Sequence, residues 1–281
     1  MRFTLLFALA SAQSTRYDDG YNVTEEYIPN NIKAEMYTRT WVPLRKPVAN
    51  VVFVHGQAEY INRYNHVFSE FAKAGIKVHS FDQMGCGLTG KRANNLGGAM
   101  GMERVKLDID DAIDRIDDKK TPLFLMGHSF GGETTMDYLA RGNRRHLLYG
   151  ALATSPDLAL APETRPYQVL VPGLIAIARG SPQFRIDTNL VRDTVVGGHY
   201  ILDGGYRNIQ VPRLMIVHGS GDKITSYPTS ERIANILKNQ GKSKSVEFKG
   251  YHGGYHELHN DIIKDEVIAN HVKWFLSQVG N

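Results

Sequence analysis

The chain has 281 residues, 42% of them hydrophobic and 22% charged, which is the composition of an ordinary globular protein. Its formal net charge of +4 is mild, and its basic clusters are too short to form the stripe that nucleic-acid binding requires. The single cysteine, Cys86, excludes an intrachain disulfide and a zinc site built on cysteines. We therefore expect no nucleic-acid partner.

The start of the chain has features of a secretory signal. Arg2 gives a charged start, residues 3–9 are largely apolar, and residues 10–12 (Ala-Ser-Ala) resemble a cleavage site. The alternative is an apolar N-terminal arm, within residues 1–19, that packs on the domain. The signal favours a secreted protein. The unpaired Cys86 favours a cytoplasmic protein, or one held peripherally on a membrane or lipid droplet.

Short apolar runs alternate with amphipathic helical patterns from residue 51 to the end of the chain. The apolar runs predict strands at residues 51–54, 77–81, 123–126, 151–154, 213–217 and 245–248. The spacing of apolar residues predicts helices at 64–74, 102–116, 130–141, 229–238 and 262–279. Strands that are apolar on both faces and alternate with helices indicate an α/β fold, with a mostly parallel central sheet and helices on both faces.

Residues 156–210 interrupt this alternation. They contain five prolines and a long apolar run at residues 167–178. Because irregular surface excursions rarely carry so many apolar residues, we interpret the segment as a cap inserted into a single domain that spans residues 20–281. The apolar run either contacts a membrane or lipid surface or packs on the core as a cap helix. Its candidate substrate-binding residues are Leu170, Leu174 and Ile175.

The motif Gly127-His128-Ser129-Phe130-Gly131 lies where a predicted strand meets a predicted helix. A nucleophilic serine needs a sharp turn there, so that its Oγ projects above the sheet, and the flanking glycines leave room for the turn. The motif alone is weak evidence in a chain with 27 glycines, so its position between strand and helix matters more. Ser129 is thus a candidate nucleophile.

A serine nucleophile needs a base, and the base needs a carboxylate that orients it. In this architecture the three follow in the chain order serine, acid, histidine. Asp222 follows the predicted strand at 213–217, at the edge where parallel sheets collect functional groups. The alternative for Asp222 is a plain turn residue. The base is expected within residues 251–261, which contain three histidines, His252, His256 and His259.

A metal site is the alternative use of these histidines, since His252 and His256 have the i, i+4 spacing of a helical zinc pair. Gly253 and Gly254 lie between them, however, and two glycines cost the interior of a helix about 2 kcal/mol. No fixed helical face therefore presents the pair, and we expect no metal at this position.

Several ordered blocks of the sequence resemble those of a known family. They are His55-Gly56-Gln57-Ala58-Glu59-Tyr60, Asp82-Gln83-Met84-Gly85-Cys86-Gly87, Gly127-His128-Ser129-Phe130-Gly131-Gly132, His218-Gly219-Ser220-Gly221-Asp222 and Tyr255-His256-Glu257-Leu258-His259-Asn260. On these blocks the chain resembles the monoacylglycerol lipase branch of the α/β-hydrolase superfamily, from residue 20 to residue 281, and is similar to its fungal members with a shortened cap. It departs from the branch at Met84 and Cys86, where the branch has arginine and histidine.

The resemblance implies an α/β-hydrolase fold and a serine ester hydrolase that needs no cofactor. It assigns the base to His256, which completes a catalytic triad with Ser129 and Asp222. It also implies an oxyanion hole formed by the backbone N–H groups of Gln57 and Phe130. The expected substrate is a lipid ester, a monoacylglycerol cleaved to glycerol and fatty acid. The alternatives are a lysophospholipase or short-chain carboxylesterase on the same triad, and then a non-catalytic binding protein of this fold.

Overall fold

Nine strands form one sheet in the part of the chain that the computed structural model describes, residues 13–17, 20–97, 100–163 and 198–280. The strands are β1 (Gln13–Tyr17), β2 (Tyr21–Pro29), β3 (Glu35–Pro43), β4 (Ala49–Val54), β5 (Ile76–Phe81), β6 (Leu123–His128), β7 (Gly150–Thr154), β8 (Arg213–Gly219) and β9 (Ser245–Tyr251). Their order across the sheet is β1-β2-β3-β5-β4-β6-β7-β8-β9. Strands β4 to β9 are parallel to one another, whereas β1, β2 and β3 extend the sheet in antiparallel pairing. The predicted, mostly parallel sheet is confirmed, and the antiparallel extension is an addition to it.

Helices cover both faces of the sheet, as predicted. They are α1 (Asn65–Lys73), α2 (Gly87–Arg92), α3 (Gly101–Asp114), α4 (Phe130–Arg141), α5 (Tyr227–Gln240) and α6 (Lys264–Val279), and residues 198–202 are also helical. Side chains of β4 alternate between two hydrophobic cores. Val52 and Val54 pack with residues of α3, α4 and α5, whereas Val51 and Phe53 pack with residues of α1 and α6. The alternation explains why this strand is apolar along its whole length.

The start of α5 shows how the sequence sets a helix boundary next to a candidate site residue. Ser226 is the N-cap residue, and its Oγ accepts a hydrogen bond from the amide of Thr229. Pro228 occupies the first turn, where its missing N–H costs nothing and its fixed φ suits the helix. Because Ser226 lies only four residues after Asp222, these signals also limit the path of the loop that carries Asp222.

Several predictions concern residues that the structure does not describe. Residues 164–197, which contain Leu170, Leu174 and Ile175, lie outside the described ranges, as do residues 1–12 of the predicted signal. The cap, its substrate contacts and the signal therefore stay predictions. Among the helices that are described, none is both long and apolar enough to cross a membrane.

The two described ends of the predicted cap segment are both attached to the body of the domain. At the first end, the amide of Ala161 donates to the carbonyl oxygen of Ile224 at 3.0 Å, beside the loop of Asp222. At the second end, Ile201 and Ile209 are fully buried in the core that contains α3, α4 and α5. The segment therefore leaves the domain close to the carboxyl edge of the sheet. It rejoins the domain beside α4.

The antiparallel extension is anchored by Trp41, which gives a test of its contribution to stability. Trp41 is 1% exposed and packs edge-on against Phe68 of α1, with ring centroids 5.0 Å apart. Truncation of a buried tryptophan to alanine costs about 3–5 kcal/mol, so we expect Trp41→Ala to lower the free energy of unfolding by that amount. Urea denaturation measures it, with Leu44→Ala, at a half-exposed position, as the control. If Trp41→Ala lowers the free energy of unfolding no more than Leu44→Ala does, the extension is not part of the cooperative fold.

Candidate active site

Ser129 lies in a sharp turn between the end of β6 and the start of α4. Its φ of 55° and ψ of −120° fall in a region that residues other than glycine rarely adopt. Such a conformation costs about 1–3 kcal/mol and persists only where the surrounding structure fixes it. Because β6 lies between β4 and β7, the turn places Ser129 at the carboxyl edge of the parallel sheet.

Three glycines allow α4 to lie directly against the sheet at this turn. A Cβ on Gly127 would lie 2.1 Å from the carbonyl oxygen of Gly131, and a Cβ on Gly131 would lie 2.1 Å from that of Val54. A Cβ on Gly132 would approach Pro156 to 3.0 Å. Side chains at the first two positions would push the start of α4 away from β4 and β6. The glycine pattern is therefore a requirement of packing as much as of backbone freedom.

His256 joins Ser129 and Asp222 in one chain of hydrogen bonds. The Nε2 atom of His256 is 2.9 Å from Ser129 Oγ, and its Nδ1 atom is 2.7 Å from Asp222 Oδ2. Since Nδ1 donates to the carboxylate, Nε2 is left to accept the serine hydroxyl proton. The ring is also held through its backbone, because Ser155 Oγ donates to the carbonyl oxygen of His256 at 2.9 Å. The structure thus brings all three candidate residues together.

Asp222 is buried just beyond the end of β8, and four hydrogen bonds reach it besides the one from His256. Its Oδ2 accepts from His218 Nε2 at 3.0 Å and from Thr225 Oγ1 at 2.8 Å. Its Oδ1 accepts from the amides of Ile224 and Thr225 at 2.7 and 3.0 Å. Burial raises the pKa of this carboxyl, but the hydrogen bonds from His218 and His256 outweigh burial and hold the pKa far below its usual range. Asp222 is therefore a carboxylate throughout the neutral and mildly acidic range.

His218 and Thr225 both contact Asp222, and the sequence analysis assigns neither of them a role. Ser230 of α5 lies 2.9 Å from His218 Nδ1, so its hydroxyl donates to that atom and fixes the tautomer whose Nε2–H donates to Asp222. His218 is the first residue of the block that ends at Asp222. Its position four residues before Asp222 is the one sequence signal that could have identified it. Thr225 has no such signal, because its hydroxyl meets Asp222 only once the loop has turned.

The loop after β4 passes directly over Ser129. A Cβ on Gly56 would lie 3.2 Å from the Cβ of Ser129, so Gln57, the next residue, lies beside the candidate nucleophile. A hydrogen bond within the loop fixes its shape, because the amide of Gly56 donates to Glu59 Oε2 at 2.9 Å. Phe130 is the first residue of α4, so its amide has no acceptor within the helix. The two N–H groups predicted for the oxyanion hole therefore belong to segments that flank Ser129.

His55 supports the same loop from inside the domain. Its Nδ1 donates to the carbonyl oxygen of Gly56 at 2.7 Å, and its Nε2 accepts from the amide of Gln83 at 3.0 Å. Burial lowers the pKa of His55, so its ring stays neutral and makes both hydrogen bonds. His55 therefore links the loop that contains Gln57 to the segment after β5.

The other histidines near Ser129 have structural surroundings. Burial lowers the pKa of His128 well below its usual range, and its ring packs 5.0 Å from that of His256. Burial likewise lowers the pKa of His259 to about 3, and its ring stacks 4.6 Å from that of Tyr64. His252 is exposed. Of the three histidines in the stretch 251–261, His256 is the one that contacts Ser129. Within the described ranges, no cluster of three or more His, Cys, Asp or Glu side chains is placed to hold a metal ion.

The chain is similar to known hydrolases in sequence. The sequence profile of the serine aminopeptidase S33 family of hydrolases matches residues 45–196, more than half of the chain. The chain belongs to this S33 family. A relative in Schizosaccharomyces pombe, named as a putative monoglyceride lipase, is 32% identical to this chain over 255 residues, which are 80% of this chain and 66% of the relative. A monoacylglycerol lipase of Mycolicibacterium smegmatis is 27% identical over 271 residues, which are 85% of this chain and 92% of the relative.

A solved structure has the same fold as this chain. A soluble variant of monoglyceride lipase from Saccharomyces cerevisiae, in complex with a substrate analog, matches it with a TM-score of 0.69. The match covers 98% of this chain and 97% of the other at 18% sequence identity, a level at which the likeness concerns the fold alone. The α/β-hydrolase fold expected from the sequence blocks is therefore confirmed.

Replacement of Ser129 by glycine tests whether the turn is strained. Glycine adopts this backbone conformation without steric cost, so we expect Ser129→Gly to be more stable than Ser129→Ala by about 1 kcal/mol. Both variants lose the same hydrogen bond to His256, so their difference isolates the backbone. Urea denaturation of the two proteins measures their free energies of unfolding. If the glycine variant is the less stable of the two, as at an ordinary helical position, the strain is absent.

Proposed function

We propose that this protein cleaves carboxylic esters of lipids, and that a monoacylglycerol, hydrolysed to glycerol and a free fatty acid, is its best-supported substrate. The observation that carries the proposal is the continuous chain of hydrogen bonds from Ser129 through His256 to Asp222 at a strained turn. The names of the two lipase relatives support a lipid ester as the substrate. The name of the family refers to peptide bonds, so an amide substrate belongs in the test.

Acylation begins when His256 Nε2 takes the hydroxyl proton of Ser129. The serine Oγ then attacks the carbonyl carbon of the ester, which forms a C–O bond and a tetrahedral intermediate. Asp222 holds the Nδ1–H of the ring and stabilises the imidazolium, and it keeps its own charge because its pKa is held low. When the intermediate collapses, the bond to the alcohol breaks and the imidazolium donates its proton to the departing alkoxide.

The amides of Gln57 and Phe130 are the proposed donors to the oxyanion of the intermediate. In other acyl-transfer enzymes one such donor contributes about 3 kcal/mol to the stability of the transition state. Phe130 has a further advantage, since the N-terminus of α4 carries the positive end of the helix dipole. In the second half of the reaction, His256 takes a proton from water, which attacks the acyl-serine carbonyl. As the bond to Ser129 Oγ breaks and the fatty acid is released, the imidazolium returns that proton to Oγ. None of these steps requires a cofactor.

A substrate panel tests the proposed function. It comprises a long-chain monoacylglycerol, a lysophospholipid, a short p-nitrophenyl ester and an aminoacyl p-nitroanilide. We expect the monoacylglycerol to be hydrolysed fastest, and we expect Ser129→Ala to lower its kcat by at least a thousandfold while the protein stays folded. Release of fatty acid and of p-nitrophenol or p-nitroaniline measures the four rates, and circular dichroism checks the fold.

Each other outcome of the panel has a defined meaning. Fastest turnover of the lysophospholipid or of the short ester, with loss of activity in Ser129→Ala, would support the proposed triad. It would contradict monoacylglycerol as the preferred substrate. Hydrolysis of the anilide alone would contradict ester specificity. Hydrolysis of none of the four by folded wild-type protein would favour a non-catalytic binding protein.

Thr225 provides a separate test of how Asp222 is held. Thr225→Val removes the hydroxyl that donates to Asp222 Oδ2 at 2.8 Å and keeps the shape of the side chain. A hydrogen bond to a charged group is worth about 1.5–3 kcal/mol, so we expect kcat to fall at least tenfold. KM should change little, because Thr225 acts through Asp222 and not on the substrate. Thr225→Ser should restore kcat in assays with a p-nitrophenyl ester. An equal fall in both variants would point to lost packing instead.

A further inference from the structure

A second carboxyl group, that of Asp157, lies beside the proposed triad and has no part in its mechanism. Asp157 follows the end of β7, and its amide donates to the carbonyl oxygen of Ser129 at 3.2 Å. Two residues earlier, Ser155 donates to the carbonyl oxygen of His256 at 2.9 Å. The segment is thus fixed between the turn that carries Ser129 and the loop that carries His256, and it cannot move without moving both.

The surroundings of Asp157 differ from those of the other carboxylates of the site. Hydrogen bonds from four groups besides His256 reach Asp222, and backbone amides of Ile61 and Leu88 donate to Asp82. By contrast, no hydrogen bond from the described part of the chain reaches the carboxylate of Asp157. Burial raises its pKa to about 6, with smaller effects from the charges of His256 and Asp222. The residue is nevertheless partly exposed, which leaves room for a ligand to approach it.

A partly desolvated carboxylate that accepts no hydrogen bond is costly, and a bound ligand that brings a donor removes that cost. A fatty acyl chain brings no donor. The glycerol portion of a monoacylglycerol brings two free hydroxyl groups. A phosphate, as in a lysophospholipid, brings negative charge that a carboxylate repels, so Asp157 favours a neutral hydroxylated group over an anionic one.

We propose that Asp157 is a binding residue for a hydroxyl group of the substrate's alcohol portion, and that it selects neutral polyol esters over simple alkyl esters and anionic lysophospholipids. This assignment rests on the proposed ester hydrolase function and makes its substrate class more specific. The hydroxyl donates to the Asp157 carboxylate while the ester carbonyl lies at Ser129. Asp157 acts on the substrate in this assignment and not on His256.

The test compares esters that share one acyl chain and differ in their alcohol. We expect Asp157→Leu to lower kcat/KM for the glyceryl monoester about tenfold and to leave the methyl ester within twofold of wild type. Asp157→Asn keeps an acceptor oxygen and should lose less than Asp157→Leu. Asp117→Leu removes the same charge from an exposed position before β6, at the opposite edge of the sheet, and should change neither rate.

The pH dependence of the same ratio gives a second readout. Asp157 is a carboxylate above pH 6 and is protonated below it. The ratio of glyceryl to methyl ester kcat/KM should therefore fall in wild type as the pH is lowered through about 6, and it should stay flat in Asp157→Leu. His256 and Asp222 are the charged neighbours of Asp157. Both belong to the triad that cleaves the two esters, so any effect of pH on the triad cancels in the ratio.

Three outcomes would overturn the assignment. Equal losses on the glyceryl and methyl esters would mean that Asp157 acts through the triad. Unchanged rates on both would mean that it has no contact with substrate. A larger loss on the methyl ester than on the glyceryl ester would mean that Asp157 does not recognise the alcohol portion. Failure of the proposed function itself is distinguishable, because wild type would then hydrolyse none of these esters.

Discussion

The candidate site depends on one close contact, in which the first turn of α4 lies against β4 and β6 with no side chain between them. Gly131 meets the carbonyl oxygen of Val54, and Gly127 meets that of Gly131, at separations that no Cβ tolerates. The contact forces Ser129 to a positive φ and places it at the start of α4, whose first amide has no acceptor in the helix. Because parallel strands end at the same edge, the loops after β4, β8 and β9 converge on this serine.

The polar half of the site is organised around one carboxylate. Asp222 stays charged although it is buried, because His218, Thr225, His256 and two backbone amides donate to it. The neighbouring imidazoles of His55, His128 and His259 are kept neutral by burial. Asp222 is therefore the charged group that the His256 ring contacts directly, and a proton arriving on that ring is stabilised by an adjacent negative charge.

The sequence predicts the six parallel strands and the five longer described helices, because they carry apolar or β-branched runs or a clear helical repeat. It does not predict the short helix α2, Gly87–Arg92. It does not predict β2 and β3, because both strands are only partly buried and carry no continuous apolar run. Strand β2 also contains the polar stretch Thr24-Glu25-Glu26. Ser129 and Asp222 follow from their positions at strand ends, whereas the choice of His256 among three histidines rested on resemblance to a family. Thr225 and Asp157 have no sequence signal, because their contacts form only where separate loops meet.

The most direct test of an activated Ser129 is reaction with a fluorophosphonate, in which the serine oxygen bonds to phosphorus and fluoride leaves. Peptide mass spectrometry then identifies the modified residue. We predict a single adduct, on Ser129, that forms at least a hundredfold more slowly in His256→Gln, because the general base is lost. Adducts spread over several serines, or an unchanged rate without His256, would contradict a nucleophile activated by the hydrogen-bonded chain that ends at Asp222.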